Sequence, residues 1–523
     1  MRAERLFRVL GLVDPDLVEE AEAVRRNPWK RWAAMAACLV LVMGLGWLAA
    51  GGFPGYGSGM SGGSSRPSGN DSASPGASSG SGADAGVDAG IAFQTYAGPV
   101  LPLTTAEDPA GLTAERTVTW DLAPGTNRYG ETRQWGAAVT DAYILRNSTA
   151  EDITVTALYP LAGSFDSLSE IHPAVTVDGS EVRAALYAGP YSGGFQSAIG
   201  SEEPDTLNLD SPNSWRDYKA LLESGDYLEQ ALGDYPVLDM PVTLYAFSDY
   251  AAPHDAYPAA TQAVSFTIDP EKTTVLTYGI NGLDSDGNFR RYSYFVPDGI
   301  RREPEQKLLV VLGEDIGPYT LQGYQNGGCG QGEEIDGVSC AVTRRKTTLA
   351  EALDLACRAC LEWSGTDCVS EAGPVTFEMY RGAAAELLSQ YGPISDTPMD
   401  RYSDGRLDDL LPETLYQDRV LYLSFPVTVP AGGSAEVSCA FWQAPSYSHP
   451  CSGAENADLQ GFDLMTRLGS SLEFTRQSAA LVNTENAELT EENFGFLWEE
   501  GRAFAELDLE QEHYYLIIRP KES

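Results

Sequence analysis

The chain has 523 residues, of which 43% are hydrophobic and 10% aromatic, and its formal net charge is −41. Residues 1–31 hold 7 of the 34 basic and 6 of the 75 acidic side chains, which leaves 27 basic and 69 acidic groups, a charge of −42, for the rest. A surface this acidic repels phosphate backbones, so we expect no nucleic-acid partner. Solubility explains the excess as well as attraction of divalent cations or basic partners does.

Residues 1–31 predict a short helical hairpin. Apolar residues recur at helical spacing on both sides of Asp14, which can cap the second helix, and Pro15 fits its first position. The apolar residues that we single out as a candidate partner-binding surface are Leu10, Leu12, Val13 and Leu17. The alternative is an amphipathic helix that only assists membrane insertion.

Residues 32–50, WAAMAACLVLVMGLGWLAA, predict a transmembrane helix. They carry no charge and would span roughly 28 Å as a helix, close to the thickness of a bilayer core. The residues that we assign to this span are Trp32, Cys38, Gly44, Trp47 and Ala50. Basic residues precede the span, so we expect a single-pass protein of the cell membrane with a cytoplasmic N-terminus and an extracytoplasmic C-terminal region. A cleaved signal peptide is the alternative, but Leu48-Ala49-Ala50 lacks a small residue at −3.

The segment LGLVDPDLVEEA, Leu10–Ala21, followed by a basic stretch and an alanine-rich apolar helix, resembles the N-terminal heads of single-pass proteins of Firmicutes, among them membrane-bound anti-sigma factors. This resemblance implies a sigma factor as a partner of the head, although the His-Cys-Cys zinc pattern of one such family is absent from the sequence. Three outer stretches, Leu244–Tyr250, Thr273–Gly279 and Gly313–Tyr324, are similar to uncharacterised surface proteins of Firmicutes, and this likeness implies no activity.

Residues 51–92 predict a disordered tether. Thirteen Gly and ten Ser occupy positions 51–90, a composition that cannot bury a core. As a flexible coil this segment would span about 35 Å, enough to separate a folded domain from a membrane.

From residue 93 onwards the sequence predicts mainly β-structure, in a first domain over 93–280 and a second, mixed domain over 281–523. Alternating runs predict strands such as Thr117–Leu122, Ala138–Leu145 and Val420–Val429. The pair Asp178-Gly179 predicts a tight hairpin turn, and Trp215–Glu223 predicts a short helix.

Two longer helices interrupt the predicted strands. Thr348 and Glu351 form a capping box ahead of the first, and the second begins near Phe377. The predicted fold class is therefore mainly β: one transmembrane α-helix plus extracytoplasmic immunoglobulin-like β-sandwich domains with a few inserted helices.

Seven of the eight cysteines lie beyond residue 50, and an odd number cannot all pair within one chain. The most local candidate disulfides are Cys439–Cys451 and Cys329–Cys340. Cys357 and Cys360 lie on the apolar face of a predicted helix, which favours buried core thiols over a redox pair or a zinc site with Cys340 and Cys368.

No constellation predicts catalysis, a cofactor or a metal site. The four histidines lack metal-ligand spacing. Asp284–Asn288 matches part of a calcium loop but lacks its twelfth-position acid, so we interpret it as a hairpin tip. Gly328, Gly330 and Gly332 precede two glutamates that would repel phosphate, so we interpret them as a hairpin loop.

The sequence therefore predicts a membrane-anchored extracytoplasmic binding or sensor protein without catalytic activity, whose partner is an unknown outer ligand or protein. The alternative is a transmembrane regulator whose cytoplasmic head binds a sigma factor. An enzyme of the cell envelope is the third hypothesis, and it would need an outer cleft that gathers carboxylates with a His or Arg.

Overall fold

The fold is taken from a computed structural model. The structure describes residues 95–96, 98–127, 129–133, 135–191, 224–300, 303–370, 373–396, 398, 404–448 and 456–521. Residues 80–523 belong to one compact unit. The predicted head, membrane span and tether, and the predicted helix Trp215–Glu223, lie outside the described residues.

The first part of the described chain contains short and long strands and two short helices. The strands are β1 (Thr95–Tyr96), β2 (Thr104–Thr105), β3 (Leu112–Asp121), β4 (Gly125–Thr126), β5 (Thr132–Arg133), β6 (Ala137–Asn147), β7 (Ile153–Gly163), β8 (Ala174–Val177), β9 (Ser180–Val182) and β10 (Ala185–Tyr191). The helices are α1 (Leu168–Ile171) and α2 (Asp226–Leu232), and a 3₁₀ turn follows at Pro236–Asp239.

The middle part contains nine strands and then three helices among the described residues. The strands are β11 (Pro241–Ala251), β12 (Thr261–Thr267), β13 (Thr273–Tyr278), β14 (Gly282–Asp286), β15 (Phe289–Phe295), β16 (Lys307–Gly313), β17 (Thr320–Tyr324), β18 (Glu334–Ile335) and β19 (Ser339–Thr348). The helices are α3 (Leu349–Ser364), α4 (Phe377–Gln390) and α5 (Leu407–Tyr416).

The last part returns to β-structure. Its strands are β20 (Arg419–Val429), β21 (Ser434–Gln443), β22 (Tyr447–Ser448), β23 (Gln460–Met465), β24 (Glu473–Val482), β25 (Ala487–Glu492), β26 (Leu497–Glu499), β27 (Arg502–Glu506) and β28 (His513–Pro520), with a 3₁₀ turn at Thr484–Asn486.

The first and last parts together build what we call the body, which contains three larger sheets. An eight-stranded sheet has the order β26-β27-β24-β3-β6-β21-β8-β9, a four-stranded sheet the order β10-β20-β7-β2, and a five-stranded sheet the order β1-β22-β23-β28-β25. β3 pairs in parallel with β24, 361 residues later at Thr117–Ser478, so neither end of the chain can complete the body alone.

The strands β11–β19 form what we call the insertion, because they lie between β10 and β20, which pair with each other in the body. Its two sheets have the orders β13-β16-β11-β19 and β14-β15-β12-β17-β18, and their facing side chains form a separate core that includes Phe247, Val264 and Leu309. The other face of the β13-β16-β11-β19 sheet, including Leu244 and Val310, packs in the same core as the helices α3–α5. Both faces of β16 are thus buried, which explains its continuous apolar run Leu308–Leu312.

The predicted fold class needs correction in two respects. No helix in the part of the chain that the structure describes is long and apolar enough to cross a membrane, so the predicted transmembrane helix is not shown. The insertion is a two-sheet sandwich, but its strand order is not that of an immunoglobulin domain. If β11–β17 are counted as the seven strands of such a domain, the first strand, β11, shares a sheet with the third and sixth, β13 and β16. The seventh strand, β17, shares the other sheet with the second, fourth and fifth, β12, β14 and β15.

Several local predictions are confirmed, and others are incomplete. Asp178 and Gly179 both have positive φ, 48° and 74°, in the hairpin between β8 and β9. Thr348 accepts a hydrogen bond from the backbone N–H of Glu351 at the start of α3. The sequence did not indicate α5, which contains Pro412, or β23, whose residues are all buried and show no alternation. The domain boundary predicted at 280/281 falls between β13 and β14, inside the insertion.

Candidate functional site

A cleft of about 1030 Å³ opens at one end of the body, between the eight-stranded and the four-stranded sheet. β8 pairs with β21 only as far as Ala440, opposite Ala174. Beyond that point Phe441 and Trp442 lie at the cleft, and Leu186 of β10 and Leu423 of β20 line its other side. The volume lies at the upper end of the range usual for small-molecule sites.

The short hairpin β4–β5 forms one wall of the cleft and is held on the Trp442 ring. A Cβ atom at Gly125 would lie 2.3 Å from Trp442 Cζ3, and one at Gly136 would lie 2.4 Å from its Nε1, so only glycine permits this close approach. Trp442 Nε1 donates to the carbonyl oxygen of Trp135 at 3.1 Å. The ring therefore fixes the position of the hairpin.

Arg133, at the end of this hairpin, is the best-positioned cation of the cleft. Its guanidinium carbon lies 4.6 Å from the centroid of the Trp442 ring. Its Nη1 donates to the carbonyl oxygen of Glu170 at 2.8 Å and lies 3.3 Å from Glu170 Oε2. Burial lowers the pKa of Arg133, and the charge of Glu170 opposes that shift. An arginine that keeps its charge while packed in this way presents a preorganised donor to a ligand.

The rim of the cleft carries charges of both signs. His172, Glu181, Arg183 and Asp367 line the cleft and are exposed. His172 ends α1 with a positive φ of 50°, and its N–H donates to the carbonyl oxygen of Leu168. Arg183 makes no ion pair with another described residue. The rim can therefore meet a carboxylate and an ammonium group at the same time.

The deeper part of the cleft is apolar. Phe165, Leu168 and Val175 line it and are buried in the core of the body. The guanidinium of the buried Arg419 lies 4.7 Å from the centroid of the Phe165 ring and donates to the carbonyl oxygen of Gly189 at 3.1 Å. A charged rim over an apolar floor suits a ligand that has both charged and apolar groups.

The cleft thiol is not activated as a nucleophile. Cys368 Sγ lies 3.1 Å from the hydroxyl of Thr366, and burial raises the pKa of the thiol. A reactive cysteine needs a lowered pKa.

A second polar cluster lies in the centre of the body. Asp141 accepts hydrogen bonds from Arg116 Nε and Nη2, at 2.9 and 2.7 Å, and from the hydroxyls of Tyr143 and Tyr159, at 2.7 and 3.0 Å. Arg116 also donates to the carbonyl oxygen of Met465 at 2.6 Å. Both charged side chains are fully buried, so this cluster connects strands of all three larger sheets of the body rather than contacting a ligand.

Most of the sequence-predicted site residues lie outside the part of the chain that the structure describes. Trp32, Cys38, Gly44, Trp47 and Ala50, and also Leu10, Leu12, Val13 and Leu17, lie outside the described residues. Cys439 is buried in β21, and Cys451 lies outside the described residues, so their disulfide stays a prediction.

One of the two predictions for the other cysteines is confirmed and one is wrong. Cys357 and Cys360 are buried inside α3, which confirms core thiols. Cys329 and Cys340 are free. The Cys329 thiol lies near Ser293, and the Cys340 thiol lies near Tyr294. Successive residues of β15 point to opposite faces of the sheet, so the two thiols lie on opposite faces. The predicted Cys329–Cys340 pairing is therefore wrong.

The two loops that the sequence assigned to hairpins are hairpins. Asp284 and Asp286 lie in β14, and Gly287 has a φ of 53° in the turn to β15. Gly328, Gly330 and Gly332 lie between the paired strands β17 and β18. Within the described ranges no group of three or more His, Cys, Asp or Glu side chains is arranged to hold a metal ion.

Sequence analysis missed Arg133 and Glu170, because a two-residue strand and a four-residue helix carry no periodic signal. It also missed Trp442, which lies near the end of the longer strand β21. Arg116 and Asp141 could have been found. Each occupies an inward position of an alternating strand whose neighbouring inward residues, such as Val118 and Tyr143, are apolar or aromatic.

Comparison with known proteins adds little. No protein-family model matches the chain, and no curated protein matches it. Among solved structures it is similar to a Legionella pneumophila protein described as a "putative nutrient binding protein", with 6% identity, a TM-score of 0.29, and coverage of 82% of this chain and 72% of that chain. A likeness this low carries no argument about fold or function.

Proposed function

We propose that the body is a binding module whose cleft holds a small zwitterionic ligand with an apolar part, such as a short peptide with free termini. The observation that carries this proposal is the placement of Arg133, fixed on Trp442, and exposed Arg183 around a cleft whose rim also holds Glu181 and Asp367. The guanidinium groups suit a carboxylate, and the rim carboxylates suit an ammonium group. The apolar floor suits a side chain between them.

We propose that the cleft binds its ligand and catalyses no reaction on it, because its lining offers charges of both signs for binding and its thiol is not activated as a nucleophile. This keeps the predicted binding role and gives it a site. The predicted location of the body outside the cytoplasm stays a prediction.

The experiment compares leucyl-leucine with two blocked forms, N-acetyl-leucyl-leucine and leucyl-leucinamide, by titration calorimetry on the full chain. We expect the free dipeptide to bind and each blocked form to bind at least tenfold more weakly. Arg183→Ala should weaken the free dipeptide and N-acetyl-leucyl-leucine, which both keep the carboxylate, but not leucyl-leucinamide. The matched control is Arg502→Ala, which removes an exposed arginine from β27, a strand outside the cleft. Equal binding of all three ligands, or an equal loss in both variants, would overturn the proposal.

The alternative, a regulator whose head binds a sigma factor, depends on residues outside the described part of the chain. A pull-down that compares the full chain with one lacking residues 1–28 tests it. Recovery of a sigma factor only with the intact head would support the regulator.

A further inference from the structure

Three polar side chains meet at one end of the insertion. Lys307 is the first residue of β16, Glu303 precedes it by four residues, and Asn281 lies between β13 and β14. Lys307 Nζ donates to Glu303 Oε1 at 2.8 Å, and Asn281 Nδ2 donates to Glu303 Oε2 at 2.5 Å. One carboxyl group thus holds an amine and an amide side by side.

The pairing of β13 with β16 brings these groups together. Tyr278 lies opposite Leu308 in the antiparallel ladder, so the chain that leaves β13 passes Lys307 at once. A Cβ atom at Gly279 would lie 2.1 Å from the carbonyl oxygen of Gln306 and 3.0 Å from Lys307 Cδ. Glycine at 279 therefore lets the loop that carries Asn281 pass against the lysine side chain.

The amine and the carboxyl group are shielded from water. The Lys307 side chain is 0% exposed and that of Glu303 is 7% exposed. Lys307 Nζ lies 5.4 Å from the centroid of the Tyr294 ring. Burial lowers the pKa of Lys307 and raises the pKa of Glu303, and in each case the charge of the partner opposes the shift. Both shifts favour transfer of the shared proton, which leaves a neutral amine beside a carboxylic acid.

We propose that Lys307 and Asn281 join in an intramolecular amide cross-link and that Glu303 transfers the protons for this reaction. An uncharged amine is a nucleophile, and an amide carbonyl that accepts a hydrogen bond from a carboxylic acid is activated for attack. The two ends of an asparagine amide exchange places on a half-turn of the group. That half-turn puts Oδ1 where Glu303 can donate to it.

The reaction balances without any co-reactant. The lone pair of Lys307 Nζ attacks Asn281 Cγ, and the carbonyl electron pair moves to Oδ1, which takes the proton of the Glu303 carboxylic acid. Nζ then gives a proton to the Glu303 carboxylate so formed, which passes it to Nδ2. The Cγ–Nδ2 bond breaks, ammonia leaves, Oδ1 returns its proton to Glu303 as the carbonyl reforms, and the product is a secondary amide between the two side chains.

The exposure of Asn281 fits this scheme, because ammonia can leave to solvent while the amine and acid stay buried. The cross-link would join the β13–β14 connection to the start of β16. A covalent link of this kind restricts the unfolded chain and so favours the folded insertion.

Intact mass spectrometry of the purified, denatured full chain tests the proposal. We expect a mass about 17 Da below that calculated from the residues, the mass of one ammonia. Asn281→Ala changes an exposed side chain and should show its full calculated mass. The matched control is Asn288→Ala, an exposed asparagine of the neighbouring hairpin, which should keep the deficit. Trypsin should release from the wild type a branched peptide that joins residues 273–290 to 303–344.

Glu303→Gln should fold, as judged by near-ultraviolet circular dichroism, and lack the deficit. If that variant does not fold, the branched tryptic peptide decides, because a succinimide at Asn281-Gly282 would lose the same mass without joining Lys307. A full calculated mass for the wild type after prolonged incubation overturns the proposal. So does a deficit that persists in Asn281→Ala.

Discussion

The body and the insertion each bury an ion pair, and the two pairs differ in the hydrogen bonds that they receive. In the body, Asp141 accepts four hydrogen bonds and Arg116 also donates to three backbone carbonyl groups. In the insertion, Lys307 has one hydrogen bond, to Glu303, and Glu303 accepts two more, from Asn281 and from the backbone of Phe295. Each pair is almost fully shielded from solvent.

The pKa shifts of the two cations run in opposite directions. Burial disfavours the charge of Arg116, but Asp141 and the two tyrosine hydroxyls outweigh it, so its pKa is raised. Burial outweighs the charge of Glu303 at Lys307, so the pKa of the lysine is lowered. A buried pair with a complete set of partners stays ionised and holds strands together, whereas one with few partners moves towards its neutral, chemically reactive form.

The largest effect should come from breaking the satisfied pair. Asp141→Asn leaves Arg116 buried without a counter-charge, and we expect the free energy of unfolding to fall by about 3–5 kcal/mol. Urea denaturation followed by tryptophan fluorescence measures this, since Trp120 is buried in the same sheet. Glu473→Gln, an exposed site on β24, is the control and should change little. A loss below about 1 kcal/mol would contradict a central role for the pair.

A second effect should be confined to the insertion. Gly279 has a φ of 71°, and its Cβ position lies 2.1 Å from the carbonyl oxygen of Gln306, so Gly279→Ala should cost about 3 kcal/mol. Gly287 has a φ of 53° and open space at its Cβ position, so Gly287→Ala should lower the free energy of unfolding by only about 1 kcal/mol. Hydrogen exchange should show lost protection in β13 and β16 with Gly279→Ala. Equal costs for the two variants would argue against the close approach.

A third effect, a pH dependence of stability, should come from an ion pair in the body. His513 Nε2 lies 3.0 Å from buried Asp463 Oδ1, and although burial lowers the pKa of His513, the carboxylate raises it above its usual value. A raised histidine pKa contributes stability that is fully present below the unfolded-state value of about 6.5 and is lost as the pH rises through the folded-state value.

The wild type should therefore lose stability as the pH rises above about 6.5, as urea midpoints would show. His513→Gln should lose most of this slope, and His172→Asn, at an exposed histidine, should keep it. Burial raises the pKa of Asp408 to about 6. The stability that its protonated carboxyl group contributes is therefore lost as the pH rises through about 6, below the range in which His513 titrates. An unchanged slope in His513→Gln would exclude the pair as its source.

The smallest effect should come from the helices that pack against the insertion. Thr348 caps α3 through its hydroxyl, so Thr348→Ala should cost about 1 kcal/mol and Thr348→Ser should cost less. Thermal unfolding of the two variants measures the difference. Equal losses would mean that the side-chain methyl group, rather than the hydroxyl, matters at this position.

Local features of the fold could be predicted where the sequence carries a short-range signal. The hairpin at Asp178-Gly179 follows from the positive φ that its turn requires. The helix α3 follows from its capping residue and apolar face. The strand β23 could not be found in this way, because burial on both faces removes the alternation on which a prediction rests.

The candidate site could not be predicted at all. The cleft forms where β8 stops pairing with β21, and its walls come from β4–β5, α1, β10 and β20, which are far apart in sequence. The group of Lys307, Glu303 and Asn281 in the insertion could not be predicted either, because an exposed asparagine and a lysine at the start of a strand carry no distinctive sequence pattern.

The sequence by itself determined the β-rich class, the turns, the capped helices and the acidic surface, because each of these depends on neighbours within a few residues or on composition. Only the tertiary structure decided that the insertion interrupts one sheet of the body, that Arg116 meets Asp141, and that Lys307, Glu303 and Asn281 share one site. The physical reason is that these contacts depend on strand order and register. Packing of the whole core selects both, and no short segment of the chain encodes either one.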